Sequence, residues 1–280
     1  MNQPFLIKYH IGDRFLDQLT GRTKVILFLT SILTMMVSFD IRFILPFFLI
    51  HLAIFISVYE HTPGLKGIIQ FVIVMNLINI LLYYLVNPVI GTDLAGRTTV
   101  LFKFNDYFVI TYETIIYILA RLMKIFGTLF ISLWFIAIIT PSQLAAGLYG
   151  VGVPYKICTM ISLGLRYLPD VYRDFVAIKE SMQMRGLELD AKKVSLMHRI
   201  KSNVQILLPL LLVSFERVEI IASAMDLRGY GHGKKRSYYS DIDPTPKDTW
   251  VTAYAIFQLV VFVVYLIALV MGKVPAVWVW

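Results

Sequence analysis

The chain has 280 residues, of which 58% are hydrophobic and only 16% charged, and its mean hydropathy is +0.72. A soluble domain cannot hide that much apolar surface, so the composition excludes a water-soluble enzyme or binding module and specifies a polytopic membrane protein. The formal net charge is +8; in a membrane protein such an excess sits on the cytoplasmic side and meets anionic lipid, so it is poor evidence for nucleic-acid binding.

From the N-terminus, Met1 to Lys24 is mixed and charged, without the cleavage pattern of a signal peptide, and the first apolar run is expected to be retained. Val25 to Phe39 is a short first span candidate against the roughly 20 residues a crossing needs. Asp40 and Arg42 mark a turn, and Ile41 to Tyr59 is the second candidate. Pro63-Gly64 lies in a loop. Gly67 to Val86 is the third span. Its central Asn76 and Asn79 are expected to make interhelical hydrogen bonds rather than line a polar path. Asn87 to Tyr112 breaks the pattern and reads as a surface loop with a small hairpin such as Thr98 to Phe104. Glu113 to Thr140 is a long fourth helix of roughly 40 Å. In its first half Arg121 and Lys124 either snorkel to the head-group level or face the protein interior.

Pro141 opens a region of helical periodicity with far more charge, running to Thr249. Ser142 to Tyr149 forms a short helix, and Pro154 starts a longer one in which Pro169 is a kink or restart. Asp170 to Arg185 is amphipathic, with Gly186 as its stop. Asp190 is placed as the N-cap of a helix from Ala191 through Pro209 to Arg228, with Gly229 as its stop. Gly231 to Arg236 reads as a flexible basic tail, Asp243 to Pro246 as a linker and Trp250 to Met271 as the final span. Fifteen Lys and Arg residues fall between Pro141 and Thr249. The positive-inside rule therefore places that region and the N-terminus in the cytoplasm and the C-terminus outside. The expected fold is an all-α integral membrane protein of about five transmembrane helices plus long cytoplasmic helices. Its expected parts are 1–140 (entry segment and four spans), 141–249 (the cytoplasmic module) and 250–280 (the last span).

One pattern recurs. Met182-Gln183-Met184-Arg185-Gly186 and Met225-Asp226-Leu227-Arg228-Gly229 share Met-x-(Met/Leu)-Arg-Gly, each at the end of a long helix. A cation in the last turn and a glycine at C′ also serve helix capping. Capping alone would accept lysine and would not repeat methionine at the same offset. Arginine offers a rigid fork for carboxylates or carbonyls, so the repeat points to a docking device for a soluble partner. Lys234-Lys235-Arg236 with Tyr238 and Tyr239 reads as contact with anionic membrane lipid rather than with a partner.

Catalytic signatures are missing. The five histidines are scattered, no His-Glu-x-x-His pair occurs, and no Walker-type phosphate loop is present. Cys158 is the single cysteine, so neither an intramolecular disulfide nor a Cys-based metal site is available. Glu60-His61 and Asp241/Asp243 read as solvated loops rather than metal ligands.

The chain resembles the transmembrane T component, or CbiQ-like family, of energy-coupling factor (ECF) type ABC transporters over nearly its whole length. The segment from Gly12 to Lys24 is similar to that family's entry segment. Thr140-Pro141-Ser142, Gly152-Val153-Pro154 and Leu165-Arg166-Tyr167-Leu168-Pro169 resemble its cytoplasmic coupling region. Its two Ala-Arg-Gly motifs fall on Met184-Arg185-Gly186 and Leu227-Arg228-Gly229, with Met184 and Leu227 in place of alanine. The resemblance implies a non-catalytic scaffold, not an enzyme. The six residues of the two motifs would bind two ATP-binding cassette ATPase subunits. Pro154, Arg166, Pro169 and Pro209 would belong to the coupling helices. The apolar surface from Pro154 to Phe215 would contact a membrane-embedded S component that binds a vitamin, a vitamin precursor or a metal ion. No cofactor is expected on this chain; ATP and Mg would sit on the partner ATPases. The rivals are an ABC permease with its own translocation path, an integral-membrane enzyme and a secondary transporter.

Overall fold

The computed structural model describes residues 15–37, 40–59, 65–95, 99–103, 108–187, 196–233, 237–238 and 243–272. The helices in chain order are α1 (Gly21–Val37), α2 (Ile41–Tyr59), α3 (Leu65–Val86), α4 (Ile90–Ala95), α5 (Tyr112–Ile138), α6 (Pro141–Gly150), α7 (Tyr155–Met184), α8 (Leu196–Leu227) and α9 (Pro246–Val270), with strands β1 (Val100–Lys103) and β2 (Val109–Thr111) between α4 and α5. The chain forms two compact units. One holds α1 to α5, the hairpin and α9; the other holds α6, α7 and α8.

In the first unit α2, α3, α5 and α9 are long and apolar enough to cross a membrane. This is an all-α membrane fold, as the composition requires. The first expected span, Val25 to Phe39, corresponds to α1, which has 17 residues, about 26 Å of helix. Its buried side carries many polar groups: Thr23, Lys24, Thr30, Ser31 and Thr34 face inward beside Val25, Leu27 and Met35. Gln258 of α9 satisfies part of that side. Its Oε1 accepts from Thr30 Oγ1 at 3.1 Å and Ser31 Oγ at 3.2 Å, and its Nε2 donates to Tyr254 Oη at 3.0 Å. Buried polar atoms left without partners are costly, so this network fixes the pairing of α1 with α9. Lys24 is 1% exposed. Its ammonium donates to the carbonyls of Asp17 (3.1 Å) and Ile138 (3.0 Å), a cation on the open carbonyl end of α5.

Helix α9 starts at Pro246 rather than Trp250. Thr245 and Asp248 form a reciprocal capping box, and Pro246 occupies the first turn, where its missing N–H costs nothing. Asp248 also accepts from Thr20 N (2.8 Å) and Thr20 Oγ1 (3.0 Å), tying the entry to α1 onto the start of α9.

The stretch read as a loop after α3 is more ordered than expected. Ile90–Ala95 is helical, and the hairpin pairs Val100 with Thr111, Phe102 with Ile110 and Lys103 with Val109. The second strand lies beyond Phe104, where the β-branched run Val109-Ile110-Thr111 favours pairing. Glu113 holds the return: its carboxylate accepts from Thr99 N and Thr99 Oγ1. Helix α4 lies hard against α5 because Gly91 has no side chain. A Cβ there would sit 2.4 Å from Thr114 N and 2.5 Å from Glu113 O. Gly91→Ala is therefore expected to push α4 off α5 and destabilise the protein by about 1–3 kcal/mol, read as a fall in the melting temperature of the detergent-solubilised chain.

In the second unit α7 and α8 are 30 and 32 residues long, about 45 and 48 Å. Each carries a proline in its interior, Pro169 and Pro209. Pro169 does not restart the chain: α7 runs through it as one helix. The expected N-cap Asp190 and the basic run 234–236 lie outside the described residues.

Candidate functional site

The two Arg-Gly sequences end α7 and α8 with the same pair of closing hydrogen bonds. Gly186 has φ +93° and Gly229 φ +67°, the left-handed region that glycine enters without penalty. At α7, Gly186 N donates to Gln183 O (3.0 Å) and Leu187 N to Met182 O (3.0 Å). At α8, Gly229 N donates to Asp226 O (2.9 Å) and Tyr230 N to Met225 O (3.0 Å). Both are Schellman ends with arginine at the C-cap and glycine at C′. The repeated methionine takes the third position from the end in each, Met182 and Met225, and both are half-buried. No atom lies within 4 Å of a would-be Cβ at Gly186 or Gly229. The backbone conformation, not crowding, asks for glycine.

This geometry presents the preceding residues outward. Met184 is 84% exposed and Leu227 90% exposed, each beside an exposed arginine. Among the described residues the side chain of neither Arg185 nor Arg228 has a hydrogen-bond or ion-pair partner. Each end thus offers one apolar side chain and one unengaged guanidinium fork, which suits an apolar pocket rimmed by carboxylates or carbonyls.

A feature the sequence reading missed holds α7 and α8 together. Arg217 Nη2 donates to Asp174 Oδ2 at 2.6 Å, with each side chain about three-quarters buried (28% and 27% exposed). Asp174 lies eleven residues before Arg185, and Arg217 lies eleven residues before Arg228. Each arginine therefore stands about 16 Å along its helix from the same ion pair. The two point opposite ways from it. Tyr230, just past the α8 end, packs edge-on against Tyr155 at the start of α7, with ring centroids 5.8 Å apart. The ends are thus separated by up to about 33 Å.

The α8 end is further clasped by tyrosines. Tyr238 Oη donates to Tyr155 O at 3.3 Å and lies 3.4 Å from Thr159 Oγ1, and its ring meets Tyr149 at 5.5 Å. Burial pushes the Tyr238 phenol above its ordinary value. Tyr149 and Tyr155 border a cleft of about 740 Å3 formed by the α6–α7 turn with Gly231 and Gly233. No such clasp follows Leu187 among the described residues. Tyr155→Ala is accordingly expected to loosen the α8 end alone, seen as increased mobility of a spin label at residue 227 with a label at residue 184 unchanged; Tyr155→Phe should leave both unchanged.

The remaining expected residues are dispersed. Pro154 precedes α7, and its carbonyl accepts from Ile157 N (3.0 Å) and Cys158 N (3.2 Å). Cys158 is buried, its thiol raised by desolvation. Arg166 is exposed on α7, nineteen residues before Arg185, and does not join either helix end. Pro169 and Pro209 are half-buried within their helices. A run of apolar side chains on these two helices is exposed, including Leu168, Leu208, Leu212, Phe215 and Val218. Among the described residues no cluster of His, Cys, Asp and Glu could hold a metal ion.

Fold and site define a multi-pass α-helical membrane protein that carries a separate unit with two matched, exposed helix ends. The CbiQ model, described as cobalt transport protein, matches residues 12–239, and the chain belongs to this family, the T-component family that its motifs resemble. The chain is 27% identical over 259 residues to the energy-coupling factor transporter transmembrane protein EcfT of Clostridium kluyveri, covering 86% of this chain and 88% of that one. It is 29% identical to EcfT of Bacillus subtilis (54% of this chain, 65% of that one). It is 33% identical over 95 residues to EcfT of Exiguobacterium sibiricum, where the match covers 34% of this chain and only 35% of that protein.

Proposed function

We propose that this chain is the transmembrane scaffold of an ECF-type importer. Arg185 and Arg228 each dock one of two ATP-binding cassette subunits. The exposed apolar side chains of α7 and α8 receive a membrane-embedded S component that carries the substrate, a vitamin, a vitamin precursor or a metal ion. ATP and Mg are held by the partner ATPases, and this chain binds neither. The unit of α6 to α8 lies on the cytoplasmic side, where the fourteen Lys and Arg residues between Pro141 and Asp241 belong.

The observation that carries this reading is the identity of the two helix ends: one Schellman geometry, one exposed apolar residue and one unengaged arginine at each. Two such ends on either side of one ion pair suit a pair of like subunits. When ATP binding closes the ATPases, the ends they hold must move together, and a rigid helix pair converts that closure into a shift of whatever rests on it. Reconstitution into liposomes tests the assignment. Uptake is expected only with this chain, both ATPases and a small hydrophobic substrate-binding partner. Uptake with the ATPases alone would mean a permease with its own path, and uptake driven by an ion gradient without ATPases would mean a secondary transporter.

A further inference from the structure

Strand β1 exposes three consecutive apolar residues. Val100, Leu101 and Phe102 are each more than half exposed, and in water such a run is a fault unless something covers it. β2 is the inner strand: Val109 and Ile110 are half-buried, and Thr111 is buried where it caps α5. β1 is the outer one, and among the described residues no third strand pairs with its far edge.

The ends of two membrane-crossing helices set the height of this strand. At one end of β1, Thr99 O accepts from Tyr112 N, the first residue of α5, at 3.1 Å, and Thr99 N donates to the Glu113 carboxylate at 3.0 Å. At the other end Lys103 pairs with Val109. The adjacent Phe108 ring lies 6.0 Å from the ring of Tyr84, in the last turn of α3. Helix α3 keeps apolar side chains exposed to its final residue, Leu82, Leu85 and Val86 among them. The acyl layer therefore reaches the level of Tyr84 and Phe108, and β1 lies at its edge.

The backbone limits how deep the strand can go. An open strand edge is not tolerated in hydrocarbon, where its N–H and C=O groups find no partner; at head-group level, water and lipid polar groups supply one. A further protein strand is the rival cover, but β1 is a poor template for it. The register shifts between Val100 and Phe102, and such a bulge twists an edge away from pairing. Lys103 ends the strand exposed, where a long cationic side chain reaches lipid phosphates. Tyr84, Phe108 and Tyr112 supply the aromatic side chains suited to that level.

We propose that β1 is an interfacial anchor. Val100, Leu101 and Phe102 seat in the acyl boundary of the leaflet where α3 ends and α5 begins, with Lys103 at the phosphates. The partner is the phospholipid surface, and the contact fixes the depth of the α3–α5 end in the bilayer.

The test uses the full chain alone in vesicles of phosphatidylethanolamine and phosphatidylglycerol, so its outcome does not depend on the transport reading. Nitroxide labels are attached one at a time through Val100→Cys, Leu101→Cys and Phe102→Cys, in a Cys158→Ala background. Collision with oxygen, which concentrates among acyl chains, is compared with collision with a water-soluble nickel chelate. A label at Leu81→Cys on the exposed side of α3 and a free nitroxide in buffer give the two limits. The oxygen-to-nickel ratio along β1 is expected to lie severalfold above the buffer limit and below the value at residue 81. Leu101→Ser together with Phe102→Ser should return the label at residue 100 close to the buffer limit, with cooperative melting in detergent showing that this variant is folded. A ratio at the buffer limit in all three single-label proteins would place the hairpin in water and overturn the proposal. Poor collision with both reagents would also overturn it, since that means cover by protein, such as a second copy of this chain. So would a ratio at residue 100 that the paired serine change leaves unaltered.

Discussion

Replacing Arg185 and Arg228 together by alanine is expected to strip both ATP-binding subunits from the complex and reduce uptake to background. Each guanidinium is exposed and unengaged among the described residues, so its removal leaves the fold intact and takes away only what it would give a partner. An arginine anchor at the centre of a small interface contributes about 2–4 kcal/mol, so each single change should weaken its own contact by roughly 30-fold or more. The double change removes both holds at once. Lysine at either position should rescue in part, because it supplies charge without the planar fork. Co-purification of the ATPases with the tagged chain reads the loss, and an unchanged melting temperature of the isolated chain separates it from unfolding. An intact, active complex carrying the double variant would remove both arginines from the docking role.

The second large effect concerns the ion pair where α7 and α8 meet. Arg217→Ala leaves the Asp174 carboxylate three-quarters buried without its cation, at a cost of about 1–3 kcal/mol, less than for a fully enclosed pair. The functional cost should exceed the stability cost. This contact sets where the two helices cross, and with it the direction in which each end points. Arg217→Ala is thus expected to slow transport severalfold while the ATPases remain bound. Exchanging the partners (Asp174→Arg with Arg217→Asp) should recover most of the rate. Failure of the exchange to rescue a folded protein would mean that Arg217 acts elsewhere.

Much of this was legible in the sequence for a plain reason: lipid requires long apolar helices, and long apolar runs are easily seen. The bounds of α2, α3 and α5 follow from them, as do the stops at Gly186 and Gly229, where only a left-handed residue continues the backbone. The less legible features depend on contacts distant in sequence. Gly91 reads as a loop glycine until the backbone of Thr114 is placed against it. Lys24 reads as a surface cation, yet it is buried on the last carbonyl of α5. Asn79 does bond across helices as expected, to Arg121, whereas Asn76 turns back to Val72 O of its own helix at 2.8 Å. The Asp174–Arg217 pair left one faint trace, the equal spacing of its members from the two Arg-Gly ends. The tyrosine clasp left another in Tyr230, directly after the second glycine.

The most direct test places a photo-crosslinking residue at position 184 or position 227, in the otherwise unaltered chain within its native membrane, and identifies what each captures by mass spectrometry. Both positions are highly exposed beside their arginines. The account predicts capture of an ATP-binding subunit from each. Capture of lipid alone, or of no protein at either position while transport continues, would contradict it.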